Sequence, residues 1–185
     1  MLELVQNFYN TFNNKEVFCC ASDDQIRNLS DLFGEKVNKI IDFYRQYQPN
    51  NMPMLDSYVK LLDIDNIIME NTVAEPGRYL AEYGVYVFAL TVGGNVLCID
   101  SNECTDDDAS ILIADSNFCT YNEFYKCVEI GVVPDELIDD LMKEGIVRLN
   151  YLNIKKCLNK IESSFFTFMK KLSNNEYDDI ENYLR

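Results

Sequence analysis

A glycine pair between two strand-like segments is the feature that most constrains how this chain can fold. Residues 86–92 and 95–99 are rich in β-branched and aromatic side chains, and Gly93-Gly94 lies between them. A tight hairpin turn needs positive φ angles, which glycine adopts at little steric cost. The spacing therefore predicts an antiparallel hairpin over 86–99. The apolar run 110–114 predicts a third strand that completes a meander with it.

Helical patterns lie on both sides of this meander. Before it, residues 1–18 contain a short amphipathic pattern, and Ser22-Asp23-Asp24-Gln25 matches a capping box that predicts a helix over about 23–33, ending at Gly34. A second helix is predicted to end before Pro49, and residues 61–68 predict a short strand leading into a helical turn capped by Asp63 or Asp65. After the meander, helices are predicted over about 121–130 and 134–144, then one long helix or a pair of helices over about 153–172, and a shorter one over 177–184. This order indicates an α+β fold with a central antiparallel sheet.

Length and cysteine content indicate one domain over 1–185, in a reducing compartment. The chain has 185 residues, of which 48% are hydrophobic, enough for one substantial core. Its seven cysteines are odd in number and form no CxxC pair. Without histidine, a zinc site would need cysteine ligands alone, so we expect no metal and no cofactor. The sequence has neither a long apolar run nor a signal-like N-terminus, so we expect a cytoplasmic protein.

The charge balance bears on the partner. The 16 basic residues against 31 acidic ones give a formal net charge of −15. Such a chain repels nucleic acid and anionic membranes, so neither is expected as a partner, whereas a basic protein is favoured. The alternative interpretation is that the charge only keeps the protein soluble.

No catalytic motif is present in the sequence. The absence of histidine excludes Ser-His-Asp and Cys-His chemistry, and the common nucleophile and phosphate-binding motifs do not occur. Asp100-Ser101-Asn102-Glu103-Cys104 begins like a calcium loop but lacks glycine at its sixth position and glutamate at its twelfth. We therefore expect no catalytic residues and no hydrolase, nuclease or transferase turnover. An Asp/Glu-dependent hydrolase is a distant alternative.

Two acidic segments are the candidate partner-binding residues. In the predicted helix over 134–144, Leu137, Ile138, Leu141 and Met142 would be buried and the acidic side chains would face solvent. That face is either an ordinary solvated surface or an acidic docking surface. The candidates are Glu103, Asp106, Asp107 and Asp108 in the first segment, and Asp135, Glu136, Asp139, Asp140 and Glu144 in the second.

Four segments, in order, resemble the SUKH superfamily, which includes a fungal cell-wall-assembly regulator. The first segment resembles the opening of SUKH domains and consists of Ile26-Arg27-Asn28-Leu29, Phe33-Gly34 and Phe43-Tyr44-Arg45-Gln46-Tyr47-Gln48-Pro49-Asn50. The second segment is Leu61-Leu62-Asp63-Ile64-Asp65-Asn66-Ile67-Ile68-Met69-Glu70-Asn71. The last two are the hairpin from Tyr86 to Asp100 and Ile161-Glu162-Ser163-Ser164-Phe165-Phe166-Thr167-Phe168-Met169. The resemblance covers a core of about 22–172, with a helical insertion at about 118–152.

The resemblance implies an α+β domain that binds another protein and is not an enzyme. Many bacterial members of the superfamily are immunity proteins that bind and neutralise toxins, often nucleases. Such a toxin domain is typically basic, which agrees with the acidity of this chain. The second interpretation is a regulatory protein-interaction module of the cell-wall-regulator type.

Overall fold

The structure, a computed structural model, describes residues 2–13, 16–106 and 108–184. Within these ranges the α-helices are α1 (Leu2–Thr11), α2 (Asp23–Phe33), α3 (Asn38–Tyr47), α4 (Ile64–Thr72), α5 (Gly77–Ala81), α6 (Ile138–Leu141), α7 (Tyr151–Cys157) and α8 (Phe165–Ser173). The strands are β1 (Phe18–Cys19), β2 (Gln48–Pro49), β3 (Val59–Leu61), β4 (Val85–Thr91), β5 (Val96–Thr105), β6 (Asp108–Ala114), β7 (Cys119–Asn122), β8 (Cys127–Ile130) and β9 (Asn159–Glu162). The fold is mixed α+β.

The predicted hairpin lies at the centre of a five-stranded antiparallel sheet, in the order β3-β4-β5-β6-β9. Gly94 provides the positive φ angle of the turn, at 85°. Gly93 leaves room for a carboxylate: a Cβ there would meet an oxygen of Glu181, whose side chain would have to shift. That carboxylate accepts hydrogen bonds from the Gly93 N–H at 3.0 Å and the Asn95 side-chain amide at 2.9 Å. The hairpin is thus confirmed, and a C-terminal side chain holds its turn in place.

Local hydrogen bonds begin two of the helices as the sequence predicts. The Ser22 hydroxyl accepts from the Gln25 N–H at 3.2 Å, and the Gln25 side chain accepts from the Ser22 N–H at 3.0 Å. This reciprocal pair is the predicted capping box of α2. Asp63 caps α4 by accepting from the Asn66 N–H at 2.9 Å. Both caps satisfy backbone donors that a helix N-terminus leaves without a partner.

An aromatic cluster fixes α3 and α8 against one face of the sheet. Phe165 at the start of α8 is fully buried, and its ring lies 5.5 Å from Phe88 of β4 and 5.7 Å from Phe43 of α3. Phe168, one turn further along, lies 5.8 Å from Phe88. Edge-to-face ring pairs at these separations are favourable beyond the apolar area that they bury. These rings thus pack α3 and α8 on the sheet.

The predicted helix over 121–130 is wrong. Residues 119–122 and 127–130 form the antiparallel pair β7 and β8. The Asn122 side chain accepts from the N–H groups of Phe124 and Tyr125, both at 3.0 Å, and so makes the turn between the strands. The segment 118–152, predicted to be a helical insertion, therefore consists of a hairpin followed by short helical turns.

The other late helices are shorter than predicted. The predicted helix over 134–144 is only a 3-10 turn over 135–137 and the single turn α6, and Met142, predicted to be buried, is 44% exposed. Of the two forms predicted for 153–172, the structure has the pair of helices, α7 and α8, separated by β9, which pairs with the open edge of β6; Ser164 caps α8. Only a 3-10 turn over 180–183 lies within the predicted helix over 177–184. Of the first acidic segment, Glu103 belongs to β5, Asp106 to a turn and Asp108 to β6.

Within the described residues, no helix combines the length and the hydrophobicity that crossing a lipid bilayer requires.

Buried Asn71 replaces a missing strand neighbour beside β4. The register of β3 with β4 ends at Ala89, next to a β-bulge at 87–89. The Asn71 amide donates to the carbonyls of Val87 at 2.8 Å and Ile67 at 2.7 Å, and its oxygen accepts from the Val87 N–H at 2.8 Å. One side chain thereby satisfies both backbone groups of Val87 and joins α4 to the sheet.

We predict that Asn71→Ala destabilises the fold by about 2–3 kcal/mol, because it leaves buried backbone groups of Val87 without partners. Thermal unfolding followed by circular dichroism should show the melting temperature fall by about 5–10 °C. The control is Thr72→Ala on the exposed side of the same helix, with an expected change within about 0.5 kcal/mol. Equal stability of the two variants would contradict this role for Asn71.

Candidate functional site

Glu103, in the first predicted acidic segment, belongs to an internal ion-pair cluster. Its carboxylate forms salt bridges with Lys155 of α7 and with Lys160 of β9, the latter at 2.7 Å, and accepts from the Ser110 hydroxyl at 3.2 Å. The Lys155 ammonium, and after it that of Lys160, lowers the pKa of Glu103 to about 2. Glu103 therefore links three elements of the fold and is engaged inside the protein.

Asp108 also has an internal role. Its carboxylate accepts from the Ser164 hydroxyl at 2.6 Å and from the N–H groups of Phe165 and Ala109, both at 2.9 Å. Ser164 in turn caps α8 by accepting from the Thr167 N–H at 3.0 Å. Asp108 is thus part of the N-terminal cap of the helix that carries the core aromatic residues.

Asp106 lies at the turn between β5 and β6. Asp106 is exposed and has a positive φ angle of 52°, a conformation that suits a short polar side chain in a tight turn. Asp107 lies outside the described residues. Of the first segment, then, Asp106 is the described carboxylate that faces solvent.

The second acidic segment lies on the surface. Asp135 and Glu136 are exposed in the 3-10 turn, and Asp139 and Asp140 are exposed in α6. Glu144 forms a surface salt bridge with Arg148 at 3.3 Å. The structure thus leaves the charges of this segment at the surface, in contrast to Glu103 and Asp108.

Asp135 and Glu136 border a cleft of about 620 Å³, which we call the acidic cleft. The cleft lies between the end of β6, the start of β9 and the segment 132–136, and Asp115 is its third carboxylate. Apolar side chains line it as well: Ile113, Phe118, Val132, Val133, Leu158 and Leu184. Among the described residues that line it, none is a lysine or an arginine.

Short-range hydrogen bonds hold the walls of the acidic cleft. The Asp115 carboxylate accepts from the Asn117 N–H at 2.7 Å, and the Phe118 N–H donates to the Asp115 carbonyl at 2.9 Å. The Gly131 N–H donates to the Phe118 carbonyl at 2.8 Å, which ties the start of the 131–136 segment to the opposite wall. A cleft built in this way is largely formed before anything binds to it.

The acidic cleft suits an amphipathic cationic side chain. Lysine and arginine have long apolar stems and charged ends, so the stem can contact the apolar lining while the charge faces the three carboxylates. Sequence reasoning found Asp135 and Glu136 but missed Asp115 and the apolar lining. The apolar, proline-ended run Val132-Val133-Pro134 is the local signal that could have indicated a partly buried segment here.

The buried carboxylate of Asp100 serves to connect two elements. It accepts from the Tyr151 hydroxyl at 2.9 Å and from the Asn102 N–H at 3.0 Å. Burial first, and then the hydrogen bond to Asp100, raise the pKa of Tyr151, which stays a neutral donor that joins α7 to β5. Among the residues that the structure describes, no group of three or more Cys, Asp or Glu side chains is arranged to hold a metal ion.

Comparison with known proteins gives no match for this chain among protein-family models, curated proteins or solved structures.

We predict that Glu103→Gln lowers the free energy of unfolding by about 1 kcal/mol at neutral pH. The effect is this small because solvent screens the two ion pairs at their half-exposed lysine side chains. Because the folded-state pKa is lowered, this contribution is complete above the unfolded-state pKa of about 4.3. It disappears as the pH falls towards about 2. Urea unfolding of both proteins between pH 7 and pH 2.5 measures the difference.

The control for this prediction is Glu123→Gln. Glu123 pairs with Lys126 at 2.8 Å, but both side chains are exposed, so its loss should change stability by only a few tenths of a kcal/mol. A Glu103→Gln difference that stayed constant down to pH 2.5, or was absent at pH 7, would contradict the assigned role of the ion-pair cluster.

Proposed function

We propose that this protein is a non-enzymatic binding domain that docks a basic protein partner at the acidic cleft. The observation that carries the proposal is the combination of an apolar lining with three carboxylates and no cation among the described lining residues. A solvated acidic face alone would not need an apolar cleft beside it. The pairing of an apolar centre with a charged border is typical of protein–protein interfaces.

The charge of the whole chain supports a basic partner. A net charge of −15 attracts a cationic protein over a distance of several ångströms and accelerates encounter. Asp135 and Glu136 then add a local contribution at the cleft, where they are exposed and can meet lysine or arginine directly. Charge complementarity of this kind acts mainly on the association rate and on the choice of partner.

Within this class, the proposal is an immunity protein that binds and neutralises a basic bacterial toxin domain, such as a nuclease. The resemblance of four segments to the SUKH superfamily supports it, as does the absence of histidine-based catalytic motifs. The protein would act in the cytoplasm, where the toxin meets its target. The second candidate is a regulatory interaction module of the cell-wall-regulator type, which the same resemblance supports.

The gene beside the one for this protein separates the two candidates. A large secreted protein with a basic C-terminal domain would favour immunity, and the domain can then be expressed with and without this protein. The immunity proposal expects growth arrest by the domain alone and rescue on co-expression. Continued arrest despite soluble co-expression of both proteins would contradict it.

We predict that the double reversal Asp135→Lys with Glu136→Lys slows association with that basic domain about tenfold or more at low salt, because like charges then face each other at the cleft. The difference should shrink as salt is added. Both residues are exposed, so stability should change by no more than about 0.5 kcal/mol per substitution. Stopped-flow association across a salt series, with thermal unfolding of each variant, measures both effects.

The matched variant is Asp139→Lys with Asp140→Lys, which makes the same change in net charge on α6, outside the lining of the acidic cleft. The cleft variant should lose more than this variant at every salt concentration. An unchanged association rate for the cleft variant would remove the acidic cleft from the interface.

A further inference from the structure

Four aromatic side chains line a second cleft, of about 540 Å³, where α2 ends and β4 begins. They are Phe33, Tyr83, Tyr86 and Tyr151, and we call this the aromatic cleft. The four come from three separate parts of the chain, so no sequence pattern indicates that they lie together. The cleft is distinct from the acidic cleft and shares no lining residue with it.

The rings of the aromatic cleft are held in place from inside the protein. The Tyr83 hydroxyl donates to the Leu149 carbonyl at 3.2 Å, and the Tyr151 hydroxyl donates to Asp100 at 2.9 Å. The Tyr86 ring packs on buried Phe33 with a centroid separation of 5.0 Å. A ligand would therefore meet tyrosine rings that are already ordered, which lowers the entropic cost of binding.

The charge at the border of the aromatic cleft is negative overall. Glu35 and Glu82 are exposed there, against the single cation Lys36 among the described lining residues. An adjoining cleft shares Lys36 and Asn102 with it and adds the exposed Asp106. Carboxylates beside ring faces favour a cation over an anion at this position.

A glycine keeps the cleft accessible on one side. Gly34 ends α2 with a φ of 70°, and no heavy atom lies within 4 Å of the place where its Cβ would be. Glycine at this lining position therefore adds no side chain to the cleft.

We propose that the aromatic cleft binds an organic cation, the guanidinium of an arginine side chain or a methylated ammonium. The electron-rich faces of tyrosine and phenylalanine attract such weakly hydrated cations, and a neighbouring carboxylate adds to the attraction. Both ligand types share the chemistry of a delocalised or shielded positive charge. The assignment does not depend on the acidic cleft or on the proposed function.

The test is a titration of ¹⁵N-labelled protein, followed by NMR, with two cations and their neutral isosteres. N-acetyl-arginine amide is compared with N-acetyl-citrulline amide, and choline with 3,3-dimethylbutan-1-ol. The cations should shift amide signals of residues 33–36, 82–86, 101–102 and 151. Each neutral isostere should bind at least about tenfold more weakly than its cation. Whichever cation binds more tightly identifies the guanidinium or the methylated ammonium as the preferred ligand.

Two variants test which groups hold the cation. Tyr86→Leu removes a ring and should weaken binding about tenfold, whereas Glu82→Gln removes an exposed charge and should weaken it about threefold. Because Tyr86 packs on Phe33, its variant also needs a check of folding; Glu82→Gln gives the result if that variant unfolds. Asp139→Asn, an equal charge change outside this cleft, should leave binding unchanged.

Three results would overturn the proposal. The first is equal affinity for the cations and their neutral isosteres. The second is a set of shifts that map to the acidic cleft or elsewhere. The third is an absence of shifts up to about 50 mM cation, a concentration at which even very weak binding is detected. Since the acidic cleft is tested separately with a protein partner, failure here leaves the proposed function standing, and the reverse also holds.

Discussion

The docking of Phe165 against the sheet is the interaction on which the rest of this structure depends. Its ring lies among Phe43 and Tyr44 of α3 and Phe88 of β4, so it joins two helices and the central hairpin. Asp108 fixes the position of the ring by accepting from the Phe165 N–H at 2.9 Å. A carboxylate that sequence patterns suggest as a partner contact is therefore the residue that positions the core.

This arrangement divides the negative charge of the chain into two groups. Asp100, Glu103 and Asp108 are engaged by Tyr151, by two lysines and by the start of α8, respectively. Asp135 and Glu136, by contrast, face solvent beside an apolar lining. Engaged carboxylates hold the fold together, whereas exposed carboxylates can meet a partner directly. Composition alone gives both groups the same weight.

Local signals in the sequence predicted the elements that depend on nearby residues. The hairpin turn at Gly93-Gly94 and the capping box at Ser22 are set within a few positions, and both are present. The apolar spacing of 121–130 fits the helical repeat as well as the strand repeat, so it predicts a helix that the structure does not contain. The turn made by Asn122 decides the outcome. The strand at 159–162 exists because β6 offers an unpaired edge, which no local pattern reveals.

The candidate site was predictable only in part, for the same reason. Asp135 and Glu136 could be chosen from charge density, but the cleft beside them requires side chains that come together from distant positions, such as Ile113, Val132 and Leu184. The role of Asp108 was equally hidden, since Ser164 lies 56 positions away along the chain. Contacts between distant segments are set by tertiary packing, which a single sequence does not display.

The most direct measurement is hydrogen exchange of backbone amides in the complex with a basic toxin domain, the partner class proposed for this protein. If the acidic cleft is the interface, exchange should slow at 113–118, 132–136 and 157–159 relative to the free protein. The turn between β5 and β6 should exchange at its free rate. Slowed exchange elsewhere, with these three segments unchanged, would contradict the account and place the partner on a different surface.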